Sequence, residues 1–502
     1  MFGHNWRWFG HRHALAQEHS PHPLSPRKRN HLLASVLGLS GVLALGSVLM
    51  WLAFEPQPLS PPVLAEIARP ATVLIETSYT GTLTVPDFNL SGKGAQLAES
   101  LFSSEQPSAA ALNLYRAIAE HPLELLAPSG GGRRAIHGGM QGSGFIVTPD
   151  GYVVTNARTV KLEYTLKERP AAQTAVRAAN TLNADFQQQY HAPLPMPLYR
   201  ALVDAFFAFY TEQITVDLRE VHYYAVMGPA APGYAAIRSG LPCTLVTTGI
   251  PLPGKDVAIL KMDGVNLPTL PMGNDAALDI TDHLFILGYP AVSTFHPLMN
   301  KGMSAMPPVL TSGMVSTRRK MNGGWTAIQT DAAITRGTSG APALDSTGHV
   351  IGLATFGTID PTIEAGDSGL VYIVPASIIM DFLNQGNVRL TPGSFTDLYS
   401  KALVQFNKQH YRTALGYLQQ LKPLAPVNPY LRDYLAEAQR EITLGHDRSY
   451  EDTLHTALDI AGAVLLLGLG LAGYAWVRRH RQQCEPAPPL VLPLHHGGEH
   501  PA

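Results

Sequence analysis

The chain has 502 residues, enough for two or three domains, with 45% apolar and only 15% charged side chains and a formal net charge of −2. No basic face is available for nucleic acid, so that class of partner is excluded. Two cysteines, Cys243 and Cys484, exclude a disulfide framework, while 45 Gly and 40 Pro suit a turn-rich, mainly β architecture with long loops.

Residues 1–31 are polar and basic, carrying Arg7, Arg12, Arg27, Lys28 and Arg29. Leu32–Phe54 is an uncharged apolar run long enough to cross a bilayer, and the preceding cations place residues 1–31 in the cytoplasm. A cleaved signal peptide is the rival reading; the run exceeds a typical signal core and no clear small-x-small site follows it. A second apolar run, Ile460–Val477, ends on Arg478, Arg479, His480 and Arg481, which places the Pro/His-rich tail 478–502 in the cytoplasm too. The expectation is a two-pass cell-membrane protein whose residues between the runs lie outside the cytoplasm. His495 and His496 are too few to mark a metal site, and no cofactor is expected.

After a Pro-rich tether, Leu64–Thr77 reads as a short helix running into a β-branched strand. Residues 82–139 read as a mobile insertion with a helical patch near Ala109–Ala127, ending in a flexible Gly/Arg loop, Ser129–Gly139. Gln141–Val160 then alternates apolar and polar residues on both sides of Pro149-Asp150-Gly151, a hairpin signal. The segment 161–212 breaks the β pattern, and Ala171–Tyr190 and Pro197–Gln213 are predicted as amphipathic helices, either a lid or packing. Strands resume at Ile214–Val226 and continue through Asp256–Met262 and His283–Pro290 to about Pro375, where Ala376–Asn384 reads as a closing helix. From 395 to 445 the apolar period becomes 3.6, as in a tetratricopeptide unit with an added helix; a helical stalk and a peptide-binding module both fit.

Ser339 sits in Gln329–Pro342, Q-T-D-A-A-I-T-R-G-T-S-G-A-P, between Gly337 and Gly340. Glycines on both sides permit a sharp turn that can aim the amides of Gly337 and Ser339 at one point, where an acyl-transfer oxyanion would sit. Alone, a serine in a glycine turn is most often just a turn. Two further segments, G-S-G-F-I-V-T-P-D-G-Y-V-V-T-N-A (142–157) and D-V-A-I-L-K (256–261), stand ahead of it in order. Together the three resemble the trypsin-like serine proteases of the HtrA/Deg type over about 63–385, with insertions at 82–139 and 161–212.

That resemblance implies two perpendicular six-stranded β-barrels with a cleft between them, a protein or peptide substrate, and the homotrimeric assembly common in that group. It matches Ser339 to the nucleophile, Asp256 to the acid that orients the base, and the amides of Gly337 and Ser339 to the oxyanion hole. Leu353, Ala354 and Thr355 would line a pocket for small or medium apolar side chains. The family's histidine follows T-N-A; here that position is Arg158. A general base must accept the serine proton and return it. Guanidinium stays protonated and offers no lone pair, so Arg158 beside Asp256 is expected to form a fixed ion pair. His137 and His222 are the nearest histidines in sequence, surface residues in the plain reading. Where the group usually carries PDZ domains after the protease domain, the helical segment and the second apolar run are expected to stand in their place. Two functions stay open: an HtrA-type endopeptidase with impaired proteolysis, acting on exported or misfolded proteins, or a pseudoprotease that binds unfolded segments or a partner without cutting. A receptor relaying signals to the cytoplasmic tail is a third class, without a motif to support it.

Overall fold

The computed structural model describes residues 58–230, 234–290, 307–334, 337–356, 371–391, 393–425, 428–450 and parts of 457–476. Twelve strands close two barrels. The first runs in the order β1 (Thr72–Leu90), β2 (Leu126–Ile146), β3 (Tyr152–Thr155), β6 (Ala258–Met262), β5 (Leu241–Thr248) and β4 (Thr215–Met227). The second runs β10 (Pro342–Leu344), β11 (Val350–Phe356), β12 (Val371–Pro375), β9 (Thr326–Thr330), β8 (Val309–Lys320) and β7 (His283–Gly288). All the strand pairings are antiparallel.

Alternation along the strands sorts side chains between two environments. Val153, Ile146, Val73 and Leu260 join one core cluster of the first barrel. Their neighbours Val154, Phe145 and Ile259 face a larger cluster shared with Leu287, Leu344, Leu353 and Val374 of the second barrel. The closing helix Ala376–Gln385 adds Ile378, Ile379, Phe382 and Leu383 to that cluster. Each such buried side chain contributes roughly 1.5–3 kcal/mol, so the contact between barrels is apolar core and holds the two barrels in one geometry. The expected hairpin forms: Val147 N donates to Tyr152 O at 2.9 Å, and Gly151 adopts φ 104°. A Cβ on Gly151 would run into the Met262 carbonyl, which is why glycine ends this turn.

The segment 82–139 is a correction to the sequence reading. Strand β1 continues to Leu90 and Ser129–Gly139 belongs to β2, paired residue by residue with β1 from Thr84↔Arg133 to Ser78↔Gly139. Glycine is a poor strand former where side chains must pack, but ladder hydrogen bonds use only the backbone, and β1 lies between β2 and β4 as their common template. Pro86, which lacks an N–H, falls where the β1–β2 register shifts.

Helices Gly92–Ser104 and Pro107–Glu120 join β1 to β2, and Leu162–Tyr190 and Met196–Gln213 join β3 to β4. The third helix begins earlier than expected, carrying Pro170 inside it. These four helices share an aromatic-rich core with the far ends of β1 and β2, built on Phe206, Phe209, Tyr210 and Phe186. The insertions thus form one helical layer over a sheet extension. Helices Ser394–Asn407, Tyr411–Leu421 and Pro429–Thr443 surround a separate core of Phe395, Tyr399, Leu403, Leu418 and Tyr430, against which Ile67 of the opening helix Pro61–Ala68 packs.

The apolar run 32–54 and the tail 478–502 lie outside the described residues. Of the run 460–477, residues 460–462, 464, 465, 468 and 470–476 are described as helical, with Leu465 65% and Leu471 66% exposed. Among the described residues no helix is long and apolar enough to cross a membrane.

Candidate active site

Ser339 lies in the turn between β9 and β10, nearly buried at 9% exposure. Gly337 and Gly340 adopt φ 92° and 93°, the left-handed region that glycine enters without a Cβ penalty. At Gly340 a second constraint applies, since a Cβ would run into the Ser143 carbonyl and sit 2.7 Å from Thr155 Oγ1. The turn is tied to its own barrel by Gly340 N, which donates to Ala354 O at 2.8 Å, and by Ala341 N, which donates to Thr338 O at 2.9 Å.

The first barrel holds the same turn through Ser143, a fully buried residue of β2. Its N–H donates to Ser339 O at 2.7 Å and its hydroxyl to Gly337 O at 2.8 Å. The hydroxyl also accepts from Tyr289 N at 2.9 Å. The Tyr289 phenol, pushed well above its ordinary value by burial, donates to Gly228 O at 2.7 Å. Among the described residues the amides of Gly337 and Ser339 donate no hydrogen bond and the Ser339 hydroxyl has no partner. The carbonyls of the turn are therefore engaged while two of its N–H groups are left for something else.

Asp256 precedes β6 and is fully buried. Asn156 Nδ2 fixes its main chain by donating to Asp256 O at 2.8 Å. Its carboxylate accepts three hydrogen bonds: from Arg158 N to Oδ1 at 2.9 Å, from Arg158 Nε to Oδ2 at 2.8 Å, and from Thr355 Oγ1 to Oδ2 at 2.7 Å. Arg158 starts from a helical turn, Ala157–Val160, and its side chain is 20% exposed. The helix Leu162–Tyr190 begins directly after that turn, and Thr165 Oγ1 donates to Arg158 O at 3.1 Å. Thr159, next to Arg158, and Ser339 meet across Gly142, where a Cβ would lie 2.7 Å from Thr159 Oγ1 and 3.1 Å from Ser339 O.

The structure thus pairs Arg158 with Asp256 and joins that pair through Thr355 to β11, whose Ala354 accepts from Gly340 in the Ser339 turn. Leu353, Ala354 and Thr355 are fully buried in β11: the first two within core clusters, the third on the Asp256 carboxylate. His137 is an exposed residue of β2 opposite Thr80, and His222 an exposed residue of β4 opposite Ser78. Neither hydrogen-bonds Ser339 or Asp256. Sequence reasoning missed Ser143 and Tyr289. The G-S-G at 142–144 was a usable signal for the first, since a serine between two strand glycines is placed for close backbone approach.

Two six-stranded barrels, a glycine-flanked serine and a buried aspartate are the features expected of a trypsin-like peptidase. Residues 142–353 match the family described as "Trypsin-like peptidase domain". The chain is 26% identical over 366 residues to a "Probable periplasmic serine endoprotease DegP-like" of Pseudomonas putida, covering 72% of this chain and 54% of that protein. It is 28% identical over 130 residues to "Serine endoprotease DegS" of Haemophilus influenzae (26% of this chain, 36% of that one). It is 31% identical over 140 residues to "Protease Do-like 1, chloroplastic" of Arabidopsis thaliana (26% and 28%). Residues 142–353 are thus similar to a trypsin-like peptidase domain, and the relatives are named as DegP-like, DegS and Do-like proteases; the chain spans 54%, 28% and 48% of the first three DegP-like relatives it matches.

Proposed function

We propose that this protein is a membrane-anchored HtrA-type homologue that holds exported or misfolded polypeptides in its cleft, with proteolysis strongly impaired. The observation that carries this reading is the Arg158–Asp256 pair. Both carboxylate oxygens are occupied by donors, and the residue at the base position supplies a permanent cation in place of a proton acceptor. Losing the base alone costs on the order of 10⁶ in turnover in a comparable serine protease, and the oxyanion donors and binding leave about 10³–10⁴ over water. The barrels, the turn and its two unpaired amides still offer an extended segment a site, which supports binding without cutting.

Membrane anchoring rests on the two apolar runs and their flanking cations, with both termini cytoplasmic and the peptidase domain on the opposite side. Several relatives are named periplasmic, in line with that side. A homotrimer, implied by the resemblance, belongs to the same reading.

The test is fluorophosphonate labelling and casein hydrolysis by the full chain beside Ser339→Ala and Arg158→His. The expected result is casein binding with neither labelling nor cleavage in the wild type, and both appearing in Arg158→His. Wild-type labelling that Ser339→Ala abolishes would overturn the reading and require a different base.

A further inference from the structure

We infer that the helical unit 394–443 seats the Ser339 turn, with Tyr289 as the positioning residue that carries its contact to Ser143. The sequence leaves that unit open as a stalk or a peptide-binding module. Its contacts give it a further role, which holds whether or not the cleft cuts.

The unit is docked firmly on the peptidase domain. Ile67 of the opening helix packs against its core, and Thr396 Oγ1 donates to Thr269 O at 2.8 Å while accepting from Thr269 N at 2.8 Å. Its last helix, Pro429–Thr443, has a fixed start, because Asn428 Oδ1 accepts from Tyr430 N at 3.1 Å and from Leu431 N at 3.2 Å. That first turn lies on Gly228, the residue after β4. A Cβ on Gly228 would stand 3.1 Å from Pro429 Cγ and 4.0 Å from Tyr430 Cε2.

Gly228 is also where the Tyr289 side chain ends. The phenol, packed among Leu74, Val226 and Ala230, donates to Gly228 O at 2.7 Å. The main chain of the same residue reaches the serine turn: Tyr289 N donates to Ser143 Oγ at 2.9 Å, and Ser143 Oγ donates to Gly337 O at 2.8 Å. Gly288, one residue earlier, lies against the turn itself. A Cβ there would meet Ala341 Cβ at 2.8 Å, Ser143 Oγ at 2.9 Å and Thr338 Cα at 3.4 Å. From Pro429 to Gly337 each step is thus a hydrogen bond or a packing contact, and Gly228, Tyr289, Ser143 and Gly337 are all buried.

Close-packed interiors transmit a displacement in place of absorbing it. The position of the helical unit therefore sets the position of the turn. The two tyrosines of the path contribute by different atoms. Tyr289 acts through its hydroxyl, whereas the Tyr430 hydroxyl has no hydrogen-bond partner among the described residues and only the ring edge meets Gly228. Loss of the oxygen should matter at the first and be silent at the second.

Hydrogen–deuterium exchange of the full-chain protein, followed by mass spectrometry on the peptide 338–344, reads the turn directly. Tyr289→Phe, which keeps the ring and loses the bond to Gly228 O, is expected to speed exchange there about threefold to tenfold. Tyr430→Ala should do the same from the side of the helical unit, and Tyr430→Phe should retain wild-type exchange. Strand β12 of the same barrel should keep its protection in all three variants. Unchanged exchange at the turn in Tyr289→Phe or in Tyr430→Ala would overturn the inference. Tyr430→Phe behaving like Tyr430→Ala, or faster exchange spread equally over β12, would overturn it too, by showing general loosening in place of positioning. None of these outcomes depends on residue 158. Casein cleavage by the wild type would overturn the non-cleaving reading and leave the seating of the turn standing.

Discussion

At the serine turn, Ser143 of the first barrel donates to the carbonyls of Gly337 and Ser339, the Gly340 N–H donates to Ala354 O of the second, and the hydroxyl of Ser339 and the amides of Gly337 and Ser339 are left without partners among the described residues. On the acid side, every oxygen of the Asp256 carboxylate is taken, two of the three donors coming from Arg158. One half is built and idle, the other built and closed. The contrast shows that scaffold and chemistry are separable here. Ser143 and the glycines position the turn through contacts that do not involve residue 158, so on the proposed roles a cation at residue 158 leaves the setting of Ser339 unchanged.

The largest effect should come from reopening the closed half. Arg158→His supplies an imidazole that can accept from the serine and donate to Asp256, and the turn needs no further change. Casein hydrolysis should rise by about 10²–10⁴-fold, with fluorophosphonate labelling appearing in parallel. A folded Arg158→His protein that neither labels nor cleaves would mean the serine side is not ready either, which breaks the comparison.

Removing the acid tests how much of the closed half is structural. Asp256→Ala leaves the Thr355 hydroxyl fully buried and the Arg158 guanidinium, only 20% exposed, without their shared acceptor. Truncating one partner of a buried pair costs about 3–5 kcal/mol, and the partial exposure of Arg158 places the expectation at the lower end. Urea unfolding reads it. A loss under about 1 kcal/mol would class the pair as a surface ion pair and remove the reason to call that half closed.

How much of this was legible follows from chain separation. Ser339, Gly337, Asp256 and Arg158 were singled out because each sits in a contiguous segment whose order along the chain carries meaning. Ser143 reaches Gly337 across 194 positions and Tyr289 reaches Ser143 across 146, and no local pattern encodes either contact. The resemblance matched Thr355 to pocket lining, and nothing in the sequence shows that its hydroxyl donates to a carboxylate 99 positions away. Ser129–Gly139 was misread for a different reason. Its composition is that of a loop, and what makes it a strand is the register of β1, a property of its partner.

Smaller effects sharpen the serine side. Ser143→Ala removes the hydroxyl that donates to Gly337 O and accepts from Tyr289 N, leaving both backbone groups buried and unpaired. Such orphaned groups cost about 1–3 kcal/mol together with a loosened turn. In an Arg158→His background the same change should lower hydrolysis while unfolding stays cooperative, which separates positioning from collapse. Unaltered stability and unaltered hydrolysis would show that Ser143 merely fills space.

Ser339→Ala should have the smallest effect of all, within about 0.5 kcal/mol of wild type by urea unfolding. Its hydroxyl has no hydrogen-bond partner among the described residues, so truncation strands no donor or acceptor, and the residue's carbonyl keeps its bond from Ser143 N at 2.7 Å. The two serines of the turn's surroundings therefore make opposite predictions: Ser143 is needed for the fold and makes no proposed contact to ligand, while Ser339 is available to a ligand and dispensable to the fold. A cost above about 1 kcal/mol for Ser339→Ala would mean that its hydroxyl is held by the protein. The serine side would then be as closed as the acid side, and restoring a base at residue 158 would not be enough to make it cut.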